Sequence, residues 1–177
     1  MTDYTLTTLV DTAGVLLVRL TPPTGGEMQS TRIAFLPGGY IVIHGDLCPA
    51  ENGLISVGGY GPEWFASKGR RLTPSYMAEK FRVPTVFIPE QAATYLREQA
   101  EGNDECKADF LRLADDAEDV YASDEVEVRR FLDDVEDTTG SPDYAESFYG
   151  HDPRIMDLLI QIQAAFARLW VPAPQST

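Results

Sequence analysis

Residues 28–44 read MQSTRIAFLPGGYIVIH. Two apolar, β-branched runs, Met28 to Leu36 and Tyr40 to His44, flank Pro37-Gly38-Gly39. A Pro-Gly-Gly break between two strand-forming runs predicts two strands joined by a hairpin-like connection. The same reading extends upstream to Tyr4 through Val10 and Gly14 through Leu20, followed by the loop Pro22-Pro23-Thr24-Gly25-Gly26. Downstream, Leu54 to Val57 forms a further short strand between Asn52-Gly53 and Gly58-Gly59. The expectation is an antiparallel meander with one face in need of cover.

Helices are expected to supply that cover. Thr73-Pro74 pairs an N-cap with proline at the first helical position and opens a short helix through Phe81. Pro89 opens another, to about Glu101, broken by Gly102-Asn103-Asp104. Phe110, Leu113, Ala114, Ala117, Val120 and Tyr121 recur at helical spacing, as do Val128, Phe131, Leu132 and Val135. Thr138 to Asp143 reads as a loop. Asp152-Pro153 opens a last helix that runs to about Trp170, before Pro172 and Pro174. The fold class expected is α+β, an N-terminal antiparallel sheet covered by C-terminal helices. Residues 1–177 are read as a single domain, mainly β over 1–60 and mainly α and acidic over 73–171.

A chain of 177 residues with 44% hydrophobic content can bury a core without disulfide or metal. Cys48 and Cys106 form no C-x-x-C pair, which fits reduced thiols in a reducing, cytoplasmic compartment. The start MTDYTLTTLVDT has no basic, then apolar, signal-peptide pattern. The richest apolar segment, Ile155 to Val171, is interrupted by Asp157, Gln161, Gln163 and Arg168, so no membrane span is expected. Its apolar residues nevertheless cover more than one stripe, which calls for burial in the chain's own core or for a homodimer through the Ile155–Trp170 helix.

Charge is unevenly spread. The net charge is −14, yet residues 1–87 hold seven acids and seven bases and are neutral. From Glu98 to Asp152 there are 19 acids, opposed only by Lys107, Arg112, Arg129 and Arg130. Such a field repels nucleic acid and anionic membrane and attracts basic surfaces. Asp115, Asp116 and Asp119 share the polar face of one helix, and Asp133, Asp134 and Asp137 that of the next. Two adjacent helices would then present rows of carboxylates resembling duplex phosphates to a basic groove. The competing reading is a solvated face that only aids solubility.

Motifs for chemistry do not hold up. His44-Gly45-Asp46-Leu47-Cys48-Pro49-Ala50-Glu51-Asn52 is similar to a kinase catalytic loop, but the residue five after Asp46 is Glu51 rather than Asn. A strand end followed by a turn accounts for it. His44, Asp46 and the distant His151 lack metal-ligand spacing, and Asp124-Glu125-Val126-Glu127 lacks the central Gly of a calcium loop. Asp11-Thr12-Ala13-Gly14 and Asp137-Thr138-Thr139-Gly140 carry one residue too many for an aspartic-protease turn. No serine sits in Gly-x-Ser-x-Gly. Gly58-Gly59-Tyr60-Gly61 and Lys68-Gly69-Arg70-Arg71 are at most weak anion-loop features. No catalytic residue, cofactor or metal is expected. The alternative kept open is a small enzyme or ligand-binding domain with a pocket near His44, Asp46 and the Gly58–Gly61 loop.

The segment from Ile41 to Phe81 runs Ile-Val-Ile-His-Gly-Asp, Ile55-Ser56-Val57-Gly58, Trp64-Phe65 and Ser75-Tyr76-Met77-Ala78-Glu79-Lys80-Phe81. This resembles small phage- and prophage-encoded proteins of unknown function. The resemblance implies a mobile-element setting, where acidic anti-CRISPR and anti-restriction proteins occur, and it implies no catalytic residues. The function expected is a non-enzymatic, nucleic-acid-mimicking inhibitor. Its partner would be a basic nucleic-acid-binding protein or complex, with no direct nucleic-acid binding of its own. The carboxylates Asp115, Asp116, Asp119, Asp133, Asp134 and Asp137 would form the contact.

Overall fold

The computed structural model describes residues 4–12, 14–23, 30–50, 52–58, 61–66 and 73–170. Strands β1 (Thr5–Thr12), β2 (Val15–Thr21), β3 (Thr31–Leu36), β4 (Tyr40–Gly45) and β5 (Leu54–Val57) pair antiparallel in sequence order. The fold is α+β, with the expected N-terminal meander followed by helices. Side chains alternate across the pleat. Leu16, Val18 and Leu20 of β2 are therefore buried beside Ile33 and Phe35 of β3, and beside Ile41 and Ile43 of β4.

Three helices complete this core: α1 (Pro62–Ala66), α2 (Pro74–Phe81) and α6 (Pro153–Leu169). Helix α2 starts as its sequence dictates, with the Thr73 hydroxyl accepting from the Tyr76 N–H and Pro74 in the first turn. Helix α6 supplies Ile155, Leu158, Leu159, Ile162 and Phe166, all buried. The Phe166 ring lies 5.6 Å from Phe35 and 5.5 Å from Phe65, so the last helix belongs to the core of the sheet.

Between α2 and α6 the chain builds a second core. It consists of β6 (Thr85–Phe87), α3 (Pro89–Gly102), α4 (Lys107–Glu118), α5 (Glu125–Thr139), a 3₁₀ helix (Pro142–Phe148) and β7 (Tyr149–His151). Leu96, Phe110, Leu113, Phe131 and Phe148 fill it, and Ala92, Ala93, Ala100, Ala114 and Ala117 line the buried faces of α3 and α4. β6 and β7 pair antiparallel, and the ladder continues outward in a bond from the Asp152 N–H to the Pro84 carbonyl, 3.0 Å.

Compactness thus divides the chain differently from composition. One unit comprises residues 1–83 with 153–177, and the other residues 84–152. The expected boundaries hold to within a few residues for β1 to β5, α2, α3 and α6. The expected loop from Thr138 to Asp143 is shorter. α5 continues to Thr139 and stops at Gly140, in the left-handed region at φ 71°, after which Pro142 begins the 3₁₀ helix. β6 and β7 have three residues each, too few to show a period of two. The expected features at 24–26, 59–60, 68–71 and 172–174 lie outside the described residues, as does Glu51.

The kinase-like motif resolves into a turn. Gly45 ends β4 at φ 138°, and a Cβ there would sit 2.3 Å from the Ser30 carbonyl oxygen. The Asp46 N–H donates to that same oxygen at 3.2 Å. Only glycine fits such an approach without moving backbone. We expect Gly45→Ala to lower the unfolding free energy by about 3 kcal/mol, from clash and strain together. Gly140→Ala, where nothing lies within 4 Å, should cost only the left-handed conformation, about 1 kcal/mol. Urea denaturation of the two variants checks the difference.

Candidate acidic interface

Helices α4 and α5 are amphipathic in the usual way. Phe110, Leu113, Ala114 and Ala117 are buried on α4, and Val128, Phe131 and Val135 on α5. Their other faces carry the six expected carboxylates. Asp115, Asp116, Asp119, Asp133 and Asp137 are exposed, and Asp134 is half-buried. All belong to the unit 84–152, which holds 20 of the 28 acids and 5 of the 14 bases, a net of −15. The sheet unit holds the remaining 8 acids and 9 bases, a net of +1. The negative surplus of the whole chain therefore lies in one compact unit.

Where the acids sit on their helices matters as much as their number. Helix C-termini carry partial negative charge and favour Lys, Arg or His. The last turns of α3, α4 and α5 contain no basic residue. Instead Asp115, Asp116 and Glu118 end α4, with Asp119 as its C-cap, and Glu136 and Asp137 end α5. Each such placement opposes the macrodipole and costs a few tenths of a kcal/mol at an exposed site. Acids also occupy the first turns, Glu90 on α3, Asp109 on α4 and Glu125 and Glu127 on α5, where the dipole favours them.

Two arginines restrain the field. Arg97 of α3 reaches Glu118 at 2.7 Å and Asp115 at 3.1 Å on α4. Arg112 of α4 pairs with Asp116 one turn along its own helix, 2.8 Å, and with Asp134 of α5, 2.9 Å, and donates to the Thr138 hydroxyl, 3.3 Å. Both guanidiniums are held above their ordinary pKa, Arg97 chiefly by the Glu118 bond and Arg112 chiefly by the Asp134 bond. They remain cationic wherever the protein is folded, so these clasps respond to salt. Only the Arg112–Asp116 spacing of four residues is a signal available from sequence. The cross-helix pairs depend on tertiary placement.

The six expected residues therefore divide. Asp115, Asp116 and Asp134 are each bound to an arginine. Asp119, Asp133 and Asp137 make no ion pair among the described residues. Asp116, Asp119 and Asp134 come together with Glu127 and Arg130 along a groove of about 390 Å³ between α4 and α5, floored by Val120 and Phe131. Asp133 lies beside Arg129 and Arg130 in a neighbouring shallow cleft of about 410 Å³. Asp115 and Asp137 lie on neither lining.

The other candidates are placed elsewhere. His44 is exposed on the outer face of the sheet, paired in register with Arg32, and Asp46 is exposed on the turn. Gly61 lines a cleft with Asp11, Thr12, Val15, Phe35 and Leu36, and neither His44 nor Asp46 is on that lining. Among the described residues, no three His, Cys, Asp or Glu side chains come within reach of one metal ion. Cys48 and Cys106 are both free thiols, and partial burial pushes the Cys48 thiol up from its ordinary pKa, which disfavours a nucleophilic thiolate. On α6 the large apolar residues left exposed are Ile160 and Leu169. No helix is long and apolar enough to cross a membrane among the described residues. Comparison with protein-family models, curated proteins and solved structures returns no match.

Arg112→Ala removes one clasp from an exposed site. We expect it to lower the stability of the acidic unit by less than about 1 kcal/mol at low ionic strength. The deficit should shrink at about 0.5 M NaCl, as salt screens the carboxylates left facing one another. Thermal unfolding at the two salt concentrations measures this.

Proposed function

We propose that this chain is a non-enzymatic acidic inhibitor that occupies the nucleic-acid-binding surface of a basic protein or complex. The observation that carries the reading is the confinement of the negative surplus to one compact unit of net −15, the other unit having a net of +1. Carboxylates in the last turns of α4 and α5, with no basic residue to offset the dipole there, add to it. Helical backbones hold the acids in fixed rows, so a partner meets a preformed field without ordering a flexible tail. Opposite a basic groove, such a field accelerates encounter and replaces the phosphates the groove would otherwise bind.

The resemblance of residues 41–81 to phage-encoded proteins suggests the partner class: a bacterial defence complex that handles DNA or RNA, of the CRISPR or restriction type, met in the host cytoplasm. The contact surface is Asp119, Asp133 and Asp137, together with the arginine-clasped Asp115, Asp116 and Asp134. The clasps tie neighbouring helices together; Asp115 and Asp116 each keep one oxygen outside the clasp, while Arg112 takes both oxygens of Asp134.

The test is competition. A panel of purified CRISPR effector and restriction complexes is titrated with the full chain while nucleic-acid binding is followed by fluorescence anisotropy. At least one complex should lose its nucleic acid, and the inhibition should weaken steeply between about 50 and 200 mM salt. Folded protein that inhibits none of them at low salt would sink the proposal.

A second measurement addresses the residues. Asp119, Asp133 and Asp137 changed together to Asn should slow association by roughly tenfold with little effect on folding. Changed together to Lys, they should abolish inhibition. Circular dichroism confirms the fold in each case, and a folded triple-Lys variant that inhibits at full strength would overturn the assignment of the surface.

A further inference from the structure

The five-stranded sheet has a second face, and register specifies what lies on it. Val10 pairs with Leu17, Leu17 with Ala34, Ala34 with Val42, and Val42 with Ile55. By alternation these five point away from the core that Val18, Ile33 and Ile41 fill. They form one apolar stripe across all five strands, roughly 19 Å long at about 4.8 Å per strand. Ile55 is 53% exposed and Val10 39%, and the three between them are half-buried.

A basic row runs beside the stripe. Arg19 pairs with Arg32, and Arg32 with His44. Arg32 and His44 are exposed. On the other flank of the stripe Leu36 pairs with Tyr40, and both are exposed. No Asp or Glu occurs among the strand residues of this face.

We propose that this face docks an amphipathic helix of a protein partner, its apolar side along the stripe and a flank of carboxylates against Arg32 and His44. The stripe length matches about 13 helical residues at 1.5 Å each. Charge complementarity selects the occupant. The basic row calls for carboxylates, and a second copy laid face to face would bring none. A nucleic-acid strand would bring anions but nothing to cover the apolar stripe, and Tyr40 is the lone aromatic side chain in these rows for base stacking. The site belongs to the sheet unit and does not rest on the inhibitor reading.

The experiment is a selection from a displayed library of random peptides of about 16 residues against the full chain, at about 0.15 M salt to screen its net charge. Enriched peptides should carry apolar residues at i, i+3, i+4 and i+7 with Asp or Glu along one flank. Ile55→Asp and Arg32→Glu, both at exposed positions, should each weaken a selected peptide at least about tenfold while circular dichroism shows the fold retained. Amide shifts on binding should fall on Val42, Ile55 and His44. The Asp119, Asp133 and Asp137 triple variant should bind the peptide normally, which separates failure here from failure of the inhibitor reading. Selection without that pattern, or peptides that bind both variants as tightly as the parent, overturns the proposal. So does a single-stranded oligonucleotide that binds the chain and is lost on Arg32→Glu, which would assign the face to nucleic acid.

Discussion

The inner face of the meander presents Leu16, Val18, Ile33, Phe35, Ile41 and Ile43, and nearly everything else in the chain follows from covering it. α1 has five residues and α2 eight, too few to close such a face. The missing cover is α6, and its Phe166 sits against Phe35 and Phe65. Because α6 begins at Pro153 and α2 ends at Phe81, the chain between them must leave this core and return to it. Residues 84–152 meet that requirement by closing on themselves. β6 pairs with β7, and the Asp152 N–H bonds the Pro84 carbonyl, so entrance and exit lie side by side. The remaining segment is free to build its own core and to carry its own charge.

That separation allows the electrostatics to be extreme in one place. A net of −15 spread over the sheet unit would set carboxylates against the half-buried strand faces, where desolvation is costly. On helices backed by Phe110, Leu113, Phe131 and Phe148, most acids are exposed while the apolar faces build the core. Self-repulsion remains, and Arg97 and Arg112 offset it by pairing across from α3 to α4 and from α4 to α5. Two guanidiniums engage four carboxylates across three helices, each using two of its nitrogens. Exposed pairs of this kind contribute little to stability, but they fix which acids face inward along the helix seams and which face out.

The two faces of the sheet pose opposite physical problems. The inner face is closed by the chain's own helices. The outer face carries a partly exposed apolar stripe and, next to it, the exposed Arg32, an arrangement that only register reveals, because Val10, Leu17, Ala34, Val42 and Ile55 are scattered through 46 residues of sequence. The residues that look most like chemistry are explained by backbone geometry. Gly45 passes within touching distance of the Ser30 carbonyl, and Asp46 follows it into the turn with its amide on the same oxygen.

Period and punctuation alone determined β1 to β5, the cap of α2 at Thr73, the proline starts of α3 and α6, and the amphipathic stretches of α4 and α5. Each is a local property: alternation over six residues, an apolar residue every three or four, a Thr-Pro or Gly-Gly at the right place. Sequence also determined the uneven charge and which faces of α4 and α5 carry Asp115, Asp116, Asp119, Asp133, Asp134 and Asp137. Tertiary structure alone decided that α6 belongs with the sheet, that three-residue strands close residues 84–152 into a unit, and that Arg97 and Arg112 claim Asp115, Asp116 and Asp134 while Asp119, Asp133 and Asp137 make no ion pair among the described residues. The reason is distance along the chain. Phe35 and Phe166 are 131 residues apart, Arg112 and Asp134 are 22 apart, and no local pattern specifies which partner a side chain meets once the backbone has folded back on itself.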